Sequence, residues 1–393
     1  MNPDDIARAR AAHPVLDDLL YLNSGTKGLA AVPVVEALTQ WTRRAELGGY
    51  PGYRAAMAEA EAARRRLARL LNAGESELVF TGNASYSLNA ALSLRWEAMR
   101  PAPGRPVDVL ISDHEYPTTN MVFHYLEQTG RARLVRFRLS ADWDEMRASL
   151  EECVTDATRL VVASHVCCNT GLRTDAAALA AWCRARGLVS FVDGAQALGQ
   201  FPIDLSAIGC DLYIGNGHKW LFGPNGVGLL YVRDGFEEHM EPPTVASGTV
   251  TFGVPVAWRP GALRFEPLAT RPAQILASMN AALDWLESFG PGAIEARQRE
   301  LTAWVKARIR DMPDRFRLIC PPDWAHSSAL ATIQIRDRTG GEIEAFCVRM
   351  LAENKAWLRP VPEFDGLRLS MAYYNTEEEY ERFFALLRTE GFG

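Results

Sequence analysis

The sequence predicts an α/β chain: a large part with a mostly parallel sheet between helices, then a smaller α+β part at the carboxyl end. Three observations point there. First, seven short apolar runs recur between about residues 75 and 235: Leu78-Val-Phe80, Val107-Asp-Val-Leu-Ile111, Leu134-Val-Arg-Phe137, Leu160-Val-Val-Ala163, Leu188-Val-Ser-Phe-Val192, Leu212-Tyr-Ile214 and Val227-Gly-Leu-Leu-Tyr-Val232. Second, helical stretches such as 175–186 separate them, the rhythm of parallel strands covered on both faces. Third, the texture changes after about residue 240. A Pro/Gly/Thr-rich passage, 241–261, precedes helical patterns at 273–289 and 292–310. Two β-like segments follow, 329–335 and 367–370, with a helix between them and a last helix from Thr376. The expected division is a large domain over 15–260 and a small one over 261–393, with residues 1–14 packing near the latter.

The 393 residues are 48% apolar and 23% charged, an ordinary globular composition able to bury a large core. A net charge of −6 gives no reason to expect nucleic acid or an anionic membrane as partner. The run Arg64-Arg65-Arg66 sits among acids in a helical stretch and reads as a solvated helix face. The acidic amino terminus has no secretory pattern, and no apolar run is long enough to span a bilayer. Seven cysteines without framework spacing suit a reducing cytoplasm. Cys167-Cys168 is not a C-x-x-C pair and no His/Cys cluster has zinc spacing, so no metal is expected.

Ligands of such sheets bind beyond the carboxyl ends of the strands, and polar clusters follow several of the runs. Asp193 ends one run, with Gln196 one helical turn on. His218-Lys219 follows another, and small residues trail it to Gly228. A carboxylate for a ring nitrogen, a lysine for an imine and small residues near a ring suit a pyridinium aldehyde, pyridoxal 5'-phosphate. Lys219 lies between apolar segments, where a buried amine of lowered pKa serves as nucleophile and proton carrier. A buried Asp193 needs a partner, which a protonated ring nitrogen supplies. Gln196 is placed to donate to the ring's phenolic oxygen, and His218 to the phosphate.

Thr81-Gly82-Asn83-Ala84-Ser85 follows a strand and opens a helix from Tyr86, which makes its free N–H groups and hydroxyl a phosphate site. Ser112-Asp-His114-Glu-Tyr116-Pro117 would set an aromatic ring over the pyridine, and both His114 and Tyr116 are candidates. Nucleotide-binding glycine loops are absent from the sequence. Arg359 and Arg368 flank a Pro/Gly turn and could grip a substrate carboxylate, with the strand context favouring Arg368.

Together these residues resemble the class V aminotransferase family of fold-type I pyridoxal phosphate enzymes. That family includes cysteine desulfurases, kynureninases and isopenicillin N epimerase-like proteins. The resemblance runs from Tyr21-Leu-Asn23-Ser-Gly25 to Tyr374-Asn-Thr-Glu-Glu378. It centres on Asp193-x-x-Gln196 and His218-Lys219-x-x-x-Gly223-Pro-x-Gly226-x-Gly228. It implies that Lys219 forms the Schiff base, Asp193 pairs with the ring nitrogen and Gln196 with the phenolic oxygen. Ser85, the Asn83–Ala84 backbone and His218 would hold the phosphate, with Asn216 in place of a common phosphate-binding serine. Arg368 would bind the substrate carboxylate, with Arg359 and Asn23 in the same substrate site. The segment Phe265-Glu-Pro-Leu-Ala-Thr270 resembles an element that reaches the neighbouring subunit's phosphate through Thr270, which implies a homodimer; Ala269 replaces a glycine there.

Other departures bear on the reaction. Tyr116 stands at the position of the histidine that desulfurases stack on the ring. The interval from Arg359 to Arg368 has no cysteine, which argues against a persulfide relay. Cys167-Cys168-Asn169-Thr170-Gly171 replaces a common Ser-Asn before the Thr-Gly turn. The first expectation is therefore a C–S lyase: proton abstraction by Lys219, then β-elimination from a cysteine conjugate to a thiol, pyruvate and ammonia, in a thiol or natural-product pathway. A resemblance to actinobacterial-type C–S lyases around Ala45-Glu-Leu-Gly-Gly-Tyr50 and Glu115-Tyr-Pro117 supports it. Decarboxylation with oxidative deamination, epimerisation, with Tyr116 acting opposite Lys219, and transamination are the alternatives; a non-enzymatic scaffold is disfavoured by the intact Lys219, Asp193 and Gln196. Further substrate contacts are expected from 24–28, 48–54 and 247–253.

Overall fold

The computed structural model describes residues 1–251, 253–266, 270–389 and 391. Helix α1 (Pro3–Ala11) opens on a reciprocal cap, in which the Asn2 carboxamide accepts from the Asp5 N–H and the Asp5 carboxylate accepts from the Asn2 N–H. After β1 (Leu20–Tyr21) come the long helices α2 (Val32–Leu47) and α3 (Gly49–Leu70). They meet at Gly49, whose φ of +57° makes the bend affordable without a Cβ.

Seven strands then alternate with helices. They run β2 (Leu78–Thr81), α4 (Ala84–Leu88), α5 (Trp96–Met99), β3 (Val107–Ser112), α6 (Pro117–Gln128), β4 (Ala132–Phe137) and α7 (Trp143–Cys153). The series continues with β5 (Thr158–Ser164), α8 (Ala176–Arg184), β6 (Val189–Asp193), α9 (Leu205–Ile208), β7 (Leu212–Asn216) and β8 (Gly228–Val232). All seven apolar runs read from the sequence are strands of one sheet, in the order β2-β8-β7-β6-β5-β3-β4. Only β8 runs antiparallel to its neighbours.

Apart from the partly exposed edge strand β4, the runs are apolar on both sides because both faces are covered. Along β5, Leu160 and Val162 join the cluster of Val122, Phe123 and Leu126 from α6. The alternating Val161 and Ala163 join Met146 and Leu150 of α7 with Leu179 and Trp182 of α8.

The remaining elements are β9 (Val250–Thr251), β10 (Ala257–Trp258), α10 (Ala273–Glu287), α11 (Ala293–Arg310), β11 (Phe316–Leu318), β12 (Leu330–Ile335) and α12 (Gly340–Asn354). Last come β13 (Ala356–Trp357), β14 (Arg359–Val361), β15 (Gly366–Ser370) and α13 (Glu377–Thr389). A second, antiparallel sheet has the order β11-β12-β15-β14. The amino-terminal segment is tied to this part, since β1 pairs with β13, Arg10 pairs with Glu379 at 3.0 Å and the His13 and Tyr374 rings lie 4.6 Å apart. A cut at residue 260 would separate α10 from α2 and α3, against which it packs. We propose that the division falls after α10.

Among the described residues no helix is long and apolar enough to cross a membrane, and no group of three or more His, Cys, Asp or Glu is placed to hold a metal ion. All seven cysteines are free thiols.

Candidate active site

The carboxyl ends of β2, β3, β5, β6 and β7 converge on a cavity of about 190 Å³ lined by Ser85, Tyr116, Ser164, Asp193, Asn216 and Lys219 among others. Volume does not single it out, because clefts of about 590 and 620 Å³ lie beside Arg173 and beside Tyr86. Its unpaired charges do.

Among the described residues the Lys219 amine has no hydrogen-bond partner, and it lies over the Tyr116 ring, 5.7 Å from the centroid. Burial pulls its pKa down to about 8 against the opposing pull of Asp193, with Arg368 and Arg359 pushing the same way as burial. Asp193, at the end of β6, accepts the Ala195 N–H at 2.8 Å and, at 3.5 Å, the Thr119 hydroxyl. Burial holds its carboxyl above the usual range. The chain is crowded just past it: a Cβ on Gly194 would stand 2.1 Å from the Tyr213 ring, so no larger residue fits.

Glu115 is a buried acid whose role the sequence reading missed. Its carboxylate accepts from the Ser112 hydroxyl at 2.6 Å, the Ser164 N–H at 2.8 Å and the Ser164 hydroxyl at 2.8 Å. Burial, then the nearby Asp193, push its pKa up to about 7. It ties the end of β3 to the end of β5 directly behind the cavity. The available signal was an acid inside the turn that follows a strand.

The amides are fixed by neighbours. Gln196 donates one N–H to the Gly25 carbonyl at 2.8 Å and accepts from the Trp220 indole at 2.9 Å, which leaves its second N–H for a ligand. Asn216 accepts the Ala84 N–H at 2.8 Å, so that N–H is not free for a phosphate. The helix opens at Ala84 rather than Tyr86, because Asn83 caps it by accepting the Tyr86 N–H at 2.8 Å. Ser85, in the first turn, keeps its N–H and hydroxyl. The buried Nδ1 of His218 has no partner, and burial with the Lys219 and Lys27 charges lowers that imidazole to about 4.

Of the two aromatic candidates, Tyr116 lines the cavity, set there as the residue before Pro117 at the start of α6. His114 packs instead against Phe364, at 5.6 Å between ring centroids. Cys168 also lines the cavity, but burial holds its thiol up at about 12. Thr26 is the one residue of the 24–28 stretch on the lining, and none from 48–54 reaches it. Thr270 is exposed and apart from the cavity; residues 267–269 of its segment, and Phe252, lie outside the described residues.

Arg368 is 3% exposed. It donates to the Cys168 carbonyl at 2.7 Å, to Asn23 Oδ1 at 3.0 Å and to Thr26 Oγ1 at 3.0 Å. Asn23 therefore spends its carboxamide oxygen on Arg368. Gly25 lets the chain pass, since a Cβ there would lie 3.1 Å from the guanidinium. Arg359 sits directly across the strand pair from Arg368.

These residues suit pyridoxal 5'-phosphate. An unpartnered amine of lowered pKa is ready for the aldehyde, and a buried carboxylate without a cation is ready for the ring nitrogen. A partnerless imidazole nitrogen, with a serine in a helical first turn, is ready for the phosphate.

Comparison with known proteins agrees. The family described as aminotransferase class-V matches residues 34–383. The chain is 34% identical to isopenicillin N epimerase of Streptomyces clavuligerus over 335 residues, 81% of each chain. It is 27% identical to a cysteine desulfurase of Cronobacter sakazakii across 97% of each. Apo cysteine desulfurase of Thermococcus onnurineus NA1 shares the fold, with a TM-score of 0.85 at 22% identity, covering 99% of this chain and 98% of that one. The chain belongs to the class V aminotransferase family and is a fold-type I enzyme that works with pyridoxal 5'-phosphate.

Proposed function

We propose that this enzyme is a C–S lyase that removes the α-proton of a cysteine S-conjugate and eliminates its sulfur substituent. One observation carries the reading: the Lys219 amine, at about 8, shares its cavity with a single thiol, Cys168, that is held protonated at about 12. The site thus has a base suited to neutral pH and lacks a thiolate to accept sulfur. The interval between Arg359 and Arg368 is a short strand, a turn and a strand without cysteine.

Bound pyridoxal phosphate supplies the electron sink that weakens a bond at Cα. Asp193 would supply the counter-charge for its ring nitrogen, and Ser85 and His218 would hold its phosphate. Arg368 fixes the substrate carboxylate, braced by Asn23 and Thr26. Lys219 takes the α-proton. The Cβ–S bond then breaks with its electron pair going to sulfur, which leaves as a thiol once protonated, and the three-carbon remainder takes up water to give pyruvate and ammonium. We infer a homodimer in which Thr270 serves the partner's phosphate, and a reducing compartment, the cytoplasm, in keeping with the seven free thiols.

Epimerisation at Cα is the second reading, favoured by the 34% identity to isopenicillin N epimerase and by the Tyr116 phenol facing Lys219. That identity also suggests a natural-product pathway. Incubating the holoenzyme with S-ethyl-L-cysteine in deuterium oxide separates the two. Free ethanethiol with pyruvate supports the lyase. Deuterium at Cα with the D-isomer and no thiol refutes it in favour of epimerisation.

A further inference from the structure

Arg359 and Arg368 are direct partners in the β14–β15 ladder, so both side chains stand on one face of the small sheet. Like charges so placed repel each other, and Arg359 contributes to holding the Arg368 guanidinium down at about 10. No carboxylate among the described residues pairs with either. The oxygens around Arg368 are all neutral: a carbonyl, a carboxamide and a hydroxyl. Among the described residues the Arg359 guanidinium has no hydrogen-bond partner, and the Nε of each arginine is buried without one. Arg368 borders the Lys219 cavity through Cys168 and Thr26, which line it, and Arg359 stands beside Arg368 on the same sheet face.

A buried guanidinium without an anion is costly; Arg368 is one, and the half-buried Arg359 beside it adds a second positive charge with its Nε enclosed. One carboxylate does not answer it. Arg359 keeps every donor and Arg368 keeps its Nε and one terminal N–H; together these outnumber the roughly four lone-pair positions of a single carboxylate.

We propose that Arg359 is a subsite for a second anionic group on the substrate. The preferred amino acid is then a dianion, with its α-carboxylate on Arg368 and a carboxylate or similar group on its sulfur-borne substituent at Arg359. The proposal rests on the reading of the cavity as an amino-acid site anchored at Arg368, and is independent of which bond at Cα or Cβ breaks.

The test compares S-ethyl-L-cysteine with S-carboxymethyl-L-cysteine, which differ by a terminal carboxylate at nearly equal size. Dissociation constants come from the rapid change in the bound cofactor's absorbance, before turnover. The wild-type holoenzyme should bind the anionic conjugate at least about tenfold more tightly. That ratio should fall to about one in Arg359→Gln and recover in part in Arg359→Lys. Equal affinities in the wild type overturn the proposal whether or not the variants fold. A ratio that survives Arg359→Gln, both ligands weakening together, overturns it as well, since the two arginines then share one carboxylate. If neither compound perturbs the absorbance, the amino-acid reading falls and takes this proposal with it. If the ratio holds but no thiol forms, only the lyase reading falls.

Discussion

On the large-sheet side of the cavity the buried carboxyl and carboxamide groups are provided for, with the His218 Nδ1 left open: Glu115 accepts three hydrogen bonds, Asp193 accepts two, and Asn216 caps Ala84. On the small-sheet side, among the described residues, the Arg359 guanidinium has no partner and Arg368 only neutral ones. The difference matches the ligands each side would receive on the proposed reading. A resident cofactor is best met by groups already fixed, which need no rearrangement when it binds. A substrate that comes and goes can supply the missing counter-charge itself, and its arrival then quenches the repulsion. Lys219 sits between the two regimes, pulled up by Asp193 and pushed down by the arginines.

The hardest break in this comparison is Lys219→Ala. It removes the one group that both sides tune, and turnover should fall at least about a thousandfold. The visible absorbance of the lysine-bound cofactor should vanish in the purified variant. A variant that keeps that band shows the cofactor attached elsewhere.

Arg368→Ala comes next. Its guanidinium braces the wall and, on the proposed reading, would also meet the substrate, so kinetics must separate the two roles. KM for an amino-acid substrate should rise roughly 10- to 100-fold, with a smaller change in kcat. A drop in melting temperature with KM unmoved would make Arg368 a strut between Cys168, Asn23 and Thr26 and nothing more.

The fixed side is sharpened through Glu115. Its folded-state pKa of about 7 stands above the ordinary value of 4.5, so the folded protein holds this proton more tightly than the unfolded chain. The sign follows: the contribution is fully present below about pH 4.5 and is lost as pH rises through about 7, up to roughly 3 kcal/mol at about 1.4 per pKa unit. The apoenzyme's melting temperature should therefore fall over that window, and Glu115→Gln should flatten the fall. Parallel curves for the two proteins would show that Glu115 is ionised throughout.

What the sequence disclosed and what it hid divide along the same line. Six of the seven strands were legible because each is buried on both faces, which writes an apolar run into the chain, and the partly exposed edge strand β4 still carries Leu134, Val135 and Phe137. Asp193 and Lys219 were legible because each follows its strand directly. Glu115 and Ser164 lie 49 residues apart and meet only through the sheet, so no local pattern announces their bond. The facing of Arg359 and Arg368 depends on the register of β14 and β15, which a Pro/Gly turn does not specify. The cap at Asn83 moved a helix start by two residues, and Asn216 turned out to serve the Ala84 N–H.

The smallest expected effect is at Tyr116, the residue that tests whether the fixed side is only a platform. Its ring is 38% exposed and faces the Lys219 amine through its π-surface. Stacking needs the ring but not the hydroxyl. For a lyase with Lys219 as the single base, Tyr116→Phe should change kcat/KM by no more than about threefold, whereas Tyr116→Ala should cost about tenfold. Epimerisation makes a different demand: a proton has to return to the face opposite Lys219, and on that reading the Tyr116 phenol would deliver it. A loss in Tyr116→Phe approaching that of Lys219→Ala, with deuterium exchange at Cα retained, would mean that Lys219 still removes the proton while delivery on the far face has failed. That outcome would move the enzyme from the lyase reading to the epimerase one, and would make the large-sheet side of the cavity a participant in proton transfer.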